Sequence, residues 1–240
     1  MWMKSEPFCL YHIIFLLIAF TGYILGGYFV YKKTNDKSFN LVLKISGGAL
    51  LLAVTINVIF GTIFKVNHNF EGMKMYMMFP YSFCSFAGFV LSLAVLLGKK
   101  NNIVLHFVCF MAFMGGLIST IYPDYLSTFP AYHIVNITGL LHHSIDVWIV
   151  LIIFLKGYIT PSFKKIPVFV VGYGIMMLVG VVEIYAFKFP DAMNIRNPIL
   201  SDLPFFTSWY MLWVESSAAC SLYILIYWLI NKKKQHANAV

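Results

Sequence analysis

The residues best suited to chemistry fall in one run, Leu140-Leu141-His142-His143-Ser144-Ile145-Asp146-Val147-Trp148. Two imidazoles and a carboxylate interrupt an apolar stretch, from Tyr132 to Leu155, long enough to cross a bilayer. Ionisable groups at that depth are costly to insert, so they normally face a protein interior and mark function. On a helix, His142 and Asp146 are four residues apart and share a face, which makes an imidazole–carboxylate pair geometrically natural. His143 points about 100° away and is free to face a different neighbour. The two histidines should therefore not both reach one ion from a regular helix, so neither a metal nor another cofactor is expected.

A thiol supplies the second element. Cys84 sits in Pro80-Tyr81-Ser82-Phe83-Cys84-Ser85, where the proline and the flanking hydroxyls point to an irregular, polar helix start. A thiol becomes a useful nucleophile when a neighbouring imidazole accepts its proton. A carboxylate behind the imidazole fixes its tautomer and steadies the imidazolium. Cys84, one of the two histidines and Asp146 could fill those roles if their helices are neighbours. Each also has a plainer reading: Cys84 as a small buried hydrophobe, His142 with Asp146 as a structural pair, Glu183 and Glu215 as protonated carboxyls joining helices.

The elements that must position these groups are membrane helices. The chain has 240 residues, 60% hydrophobic and 11% charged, with a mean hydropathy of +0.81. Soluble domains carry about 25% charged residues, so this is an integral membrane protein. The net charge of +8 would suggest nucleic acid in a soluble chain. Here the positive residues cluster between apolar runs and read as topology, and no nucleic-acid partner is expected. The four cysteines, Cys9, Cys84, Cys109 and Cys220, lie in apolar segments without metal-like or paired spacing.

Seven windows reach spanning length, near 8–31, 42–64, 78–98, 103–121, 132–155, 166–187 and 207–230. The first carries its basic flank, Lys32-Lys33, after the apolar run, and so reads as a span rather than a signal peptide. Residues 1–240 are expected to form a single polytopic domain, an all-α bundle of about seven transmembrane helices in the cell membrane. The lysines concentrate on alternate connections and in the Lys232-Lys233-Lys234 tail, placing the N-terminus outside and the C-terminus in the cytoplasm. Glycines at 22, 26, 27, 47, 48, 115 and 116 permit close helix approach. The longest connection, roughly Lys188 to Phe206, carries three prolines and is expected to cap the outer face.

At a rise of about 1.5 Å per residue, Cys84, His142, His143, Glu183 and Glu215 fall within one slab of the outer leaflet. His12 and His106 do not obviously belong to it. A substrate reaching that depth would be a lipid ester, and the reaction class would be acyl transfer or ester cleavage through an acyl-cysteine.

From span three to span seven the sequence resembles the YwaF family of bacterial membrane proteins, which is related to eukaryotic transmembrane acyltransferases acting on phospholipids. The family's proline–leucine–histidine–leucine–cysteine stretch is matched by Pro80-Tyr81-Ser82-Phe83-Cys84. Its glycine-rich span-four end is matched by Gly115-Gly116 and Pro123-Asp124, its histidine motif by His142-His143-Ser144, and its last-span opening by Trp209-Tyr210 with Glu215. The histidine usually two residues before the cysteine is Ser82 here. The resemblance implies an acyltransferase or lipid esterase acting on membrane phospholipids, with Cys84 as nucleophile, His142 or His143 as base and Asp146 orienting it. Ser82, Glu183, Trp209, Tyr210 and Glu215 would line the substrate pocket. The competing expectations are a proton-coupled permease using His142, His143, Asp146, Glu183 and Glu215 as a relay, and a non-catalytic membrane protein.

Overall fold

The computed structural model describes residues 6–67, 78–197 and 210–237. Among them are seven α-helices and no strand: α1 (Leu10–Lys33), α2 (Asp36–Gly61), α3 (Phe83–Leu97), α4 (Leu105–Ile121), α5 (Ile134–Leu155), α6 (Ile166–Tyr185) and α7 (Met211–Ala237). Each overlaps one of the seven expected windows. Among the described residues four stretches, Leu10–Lys33, Asp36–Phe64, Ile134–Leu155 and Phe163–Tyr185, are long and apolar enough to cross a membrane. The other three windows hold shorter apolar helices, and local capping explains where α2 and α3 begin. The Ser82 hydroxyl accepts from the Ser85 amide at 3.2 Å, so α3 begins at Phe83 instead of near 78. Asn35 caps the amide of Ser38 at 2.9 Å, so α2 begins at Asp36 instead of 42. Beyond Gly61, α2 continues as a π-helical segment, Thr62–Asn67.

Helix α5 is the axis of the molecule. It packs against α1, α2, α3 and α4, while α6 and α7 pack on each other and α6 leans on α4. Leu43, Leu50, Leu91, Leu105, Ile149 and Ile152 are fully buried where these helices meet. In a bilayer, lipid tails are as apolar as leucine, so close van der Waals packing and hydrogen bonds between helices must hold such a bundle. Both are present. The Asn57 amide on α2 donates to the Val135 carbonyl at 2.9 Å and to the Thr138 hydroxyl at 3.1 Å, joining α2 to α5. Tyr23 on α1 meets the Ser144 hydroxyl at 2.8 Å, and the Trp148 indole donates to Ser46 at 3.0 Å. His12, which the sequence left unassigned, accepts from the Phe8 amide through Nδ1. Its Nε2–H therefore donates to the Thr120 carbonyl, 2.9 Å away, and ties α1 to α4.

Glycine permits close approach where α2 meets α3 and where α4 meets α5. A Cβ on Gly47 would lie 2.9 Å from Val95, and one on Gly116 would lie 2.9 Å from the backbone oxygen of His143. Gly22 and Gly48, expected to serve the same end, have nothing within 4 Å. Gly116→Val should therefore force α4 away from α5, lowering stability by about 1–3 kcal/mol, as overpacking does. Gly48→Ala should leave the melting temperature in detergent unchanged or slightly raised, and melting both variants beside the parent checks the contrast.

Candidate functional site

A cavity of about 380 Å³ opens where α2, α3, α4 and α5 converge, on the side reached by the C-terminal ends of α2 and α4. Its lining includes Asn57, Ser82, Cys84, Ser119, His142 and His143. Cys84 and the two histidines, separated by more than fifty residues, thus share one space.

Each side chain is placed by its helix. Cys84 occupies the second position of α3, just inside the cap made by Ser82, whose hydroxyl also donates to Ser85 at 2.8 Å. The free amides and aligned dipoles of that first turn favour negative charge beside the thiol. Its Sγ lies 3.9 Å from the Ser119 hydroxyl on α4. There is room for it because Gly115 faces it: a Cβ there would come within 3.0 Å of the sulfur.

His142 and His143 are both buried, and their ring centroids lie only 3.8 Å apart. A backbone carbonyl can only accept, so the 3.1 Å contact between His142 Nδ1 and the Thr138 oxygen places the proton on Nδ1. Nε2 then carries the lone pair, and it has no hydrogen-bond partner. His143 stands 5.8 Å, ring to ring, from Tyr125 on the short turn Asp124–Thr128, and its Nδ1 is likewise unpartnered. Burial pushes the Tyr125 phenol well above its ordinary range, so it remains a neutral donor.

Asp146 departs from expectation. Both carboxylate oxygens are buried without a hydrogen-bond partner, so the expected His142–Asp146 hydrogen bond is not formed. The carbonyl one turn back on the same helix takes the His142 proton instead. The carboxylate rests in a hollow left by two glycines: a Cβ on Gly88 would lie 3.2 Å from its Oδ1, and one on Gly116 3.1 Å from its Cβ. The divergence expected of the two histidines is also corrected. Side-chain rotation brings donor atoms of His142, His143 and Asp146 within 4.8 Å of one another, close enough for the three to hold one metal ion.

Of the remaining expected site residues, Ser82 is gathered here and Glu183, Tyr210 and Glu215 are not. Glu183 is buried on α6 with both carboxylate oxygens unpartnered, Glu215 is half-buried on α7, and Tyr210 is exposed at the start of α7. Trp209 lies outside the described residues. Of the connection expected to act as a cap, the part as far as Asn197 is described. Met193 donates its amide to the Tyr81 carbonyl at 2.9 Å, and Phe189 packs its ring 5.3 Å from that of Tyr81, which lines the cavity.

Asn57, Ser119 and Tyr125 were missed from sequence. The signal for Asn57 was available, as a lone amide inside an apolar span. Ser119 and Tyr125 carry no such mark, since serine is common in membrane helices and tyrosine near their ends.

The description of the TMEM164 family matches residues 8–229. No curated protein and no solved structure matches the chain. The family match takes in every helix that builds the cavity, together with Cys84, His142, His143 and Asp146, and the protein is therefore a member of the TMEM164 family.

Proposed function

We propose that the protein is an intramembrane acyltransferase or lipid esterase that handles phospholipid acyl chains through an acyl-cysteine at Cys84. The observation that carries this reading is the pairing, in one cavity, of Cys84 with a histidine whose tautomer is fixed by its own helix. In soluble hydrolases a carboxylate orients the base. Here the Thr138 carbonyl takes that part, leaving Nε2 of His142 to accept a proton.

The chemistry then runs in two balanced steps. Nε2 of His142 takes the Cys84 proton, and the thiolate attacks an ester carbonyl of a phospholipid. A carbon–sulfur bond forms, the carbon–oxygen ester bond breaks, and the proton passes to the departing lysolipid oxygen. A second hydroxyl, from a lysolipid or from water, then attacks the thioester; His142 takes its proton and returns it to the sulfur. Asp146 stands within reach of the two imidazoles, and Ser82 and Asn57 offer polar contacts to the substrate. The likeness of the Cys84 and His142-His143 motifs to the YwaF family, with its eukaryotic acyltransferase relatives, supports the same reading, as does the site's place among apolar helices. The Ser82 position, where those relatives keep a histidine, leaves His142 as the base.

Intact-protein mass spectrometry after incubation with phospholipid vesicles tests the nucleophile. The parent should gain the mass of a fatty acyl group that hydroxylamine removes, and Cys84→Ser should show no such labile adduct. An adduct on another residue, or lipid turnover by Cys84→Ala, would overturn the assignment.

His142→Gln should fold but slow acylation at least about a hundredfold, the usual scale of a lost general base. His143→Gln should be far milder. Comparable loss in both would mean that the two rings act as a unit.

A metal-assisted lipid hydrolase is the second reading, favoured by the convergence of His142, His143 and Asp146. Three protein ligands and an open position would suit a catalytic zinc. Elemental analysis of the purified protein should find sub-stoichiometric metal, and chelators should leave acylation intact. Stoichiometric zinc lost in His143→Gln would favour the second reading.

A further inference from the structure

The other end of the bundle holds a larger cavity, of about 540 Å³, that acyl transfer at Cys84 does not use. Two connections and one helix deliver lysines to it. Lys44 comes from the third turn of α2, Lys99 and Lys100 from the segment after α3, and Lys156 from the end of α5. Asp36 is the only acidic side chain lining it among the described residues.

Lysines gathered on one side of a membrane bundle follow from topology alone, and mutual repulsion would ordinarily spread them. Here the backbone holds them together. The Asn101 amide donates to the Tyr158 carbonyl at 3.1 Å, locking the α3–α4 connection onto the α5–α6 connection. Asn102 donates to the Ala94 carbonyl and accepts from the Leu105 amide, closing the turn that carries Lys99 and Lys100. Lys156 donates to the Thr34 carbonyl at 2.8 Å, which draws in the α1–α2 connection and leaves its other two N–H donors uncommitted. Four cations are thereby held around one space against a single carboxylate, an arrangement that calls for an anion.

The surroundings identify the kind of anion. Leu97, which lines the cavity, is 81% exposed, and Leu41 and Ile45 on α2 are also exposed. In a membrane protein such side chains meet acyl tails. An anion with its charge among lysines and its body along exposed leucines is an amphiphile. We propose that this cavity binds the phosphate of an anionic phospholipid, with Lys44, Lys99, Lys100 and Lys156 around the headgroup and the tails running over Leu97, Leu41 and Ile45. Phosphate at a basic pocket between membrane helices is a recurrent form of lipid recognition. The site is separate from the Cys84 cavity, and acyl transfer could fail while this proposal stands.

Native mass spectrometry of the full-length protein in neutral detergent tests it, with phosphatidylglycerol and phosphatidylcholine of identical chains as probes and inorganic phosphate as competitor. Phosphatidylglycerol should be favoured by about tenfold or more, since each surface lysine adds roughly a factor of five to attraction for anionic lipid. The preference should fall with added salt. Lys99→Gln/Lys100→Gln/Lys156→Gln should bring phosphatidylglycerol down to the phosphatidylcholine level, and the corresponding triple arginine variant should keep the preference. Should the triple glutamine variant not fold, Lys99→Gln/Lys100→Gln, which changes only exposed side chains, should still lose most of the discrimination. Equal binding of both lipids by the parent, or preference retained in the folded glutamine variants, would overturn the proposal. Displacement of phosphatidylglycerol by millimolar inorganic phosphate would instead make this a site for small anions, with no role for the tails.

Discussion

Everything in this protein depends on where polar groups can be kept when the surrounding solvent is lipid. A buried imidazole or carboxylate without water around it must be enclosed by protein, because hydrocarbon offers it no partner. Helix α5 carries three such groups within five residues, and it is the helix most completely wrapped by others. The order of packing follows from that need. The cooperating hydrogen bonds from Asn57, Tyr23 and Trp148 hold the wrapping helices to it, so the features that stabilise the bundle also enclose the polar groups of the site.

The space for chemistry is made by missing side chains as much as by those present. Gly88, Gly115 and Gly116 each face a polar residue of the site, namely Asp146, Cys84 and the His143 backbone. In most membrane bundles small residues let helices touch. On α4 the same residue type serves two ends one position apart, since Gly116 brings the backbones together and Gly115 leaves room for a sulfur atom. Packing and site are therefore set by the same short stretch.

The helical windows were legible because about twenty apolar residues between charged connections leave few other outcomes in lipid. Their ends were less so. The starts of α2 and α3 are decided by Asn35 and Ser82 accepting single amide protons, a local competition that a hydropathy window averages away. The gathering of Cys84 and the histidines was anticipated as a possibility that depended on α3 and α5 being neighbours, which only the packing could supply. Helical periodicity correctly put His142 and Asp146 on one face, yet the hydrogen bond went to Thr138, because the carbonyl one turn back lies at hand for any helical side chain that bends toward it. The nearness of the two histidine rings was hidden for a related reason, since a 100° step between Cα atoms says little about where two flexible side chains end.

The shortness of α3 has a consequence for the membrane itself. Its 15 residues span about 22 Å, against roughly 30 Å of hydrocarbon in an ordinary bilayer. With Leu97 near the lysine-bearing boundary, the thiol at the other end stops about 10 Å short of the opposite one. A short hydrophobic element is accommodated by local thinning of the bilayer around it. Such a dimple would lower the glycerol layer of nearby lipids toward Cys84 without any lipid leaving the leaflet. Host-membrane thickness then becomes a variable of the proposed acyl transfer, with thin, fluid membranes meeting the sulfur more readily than thick ones.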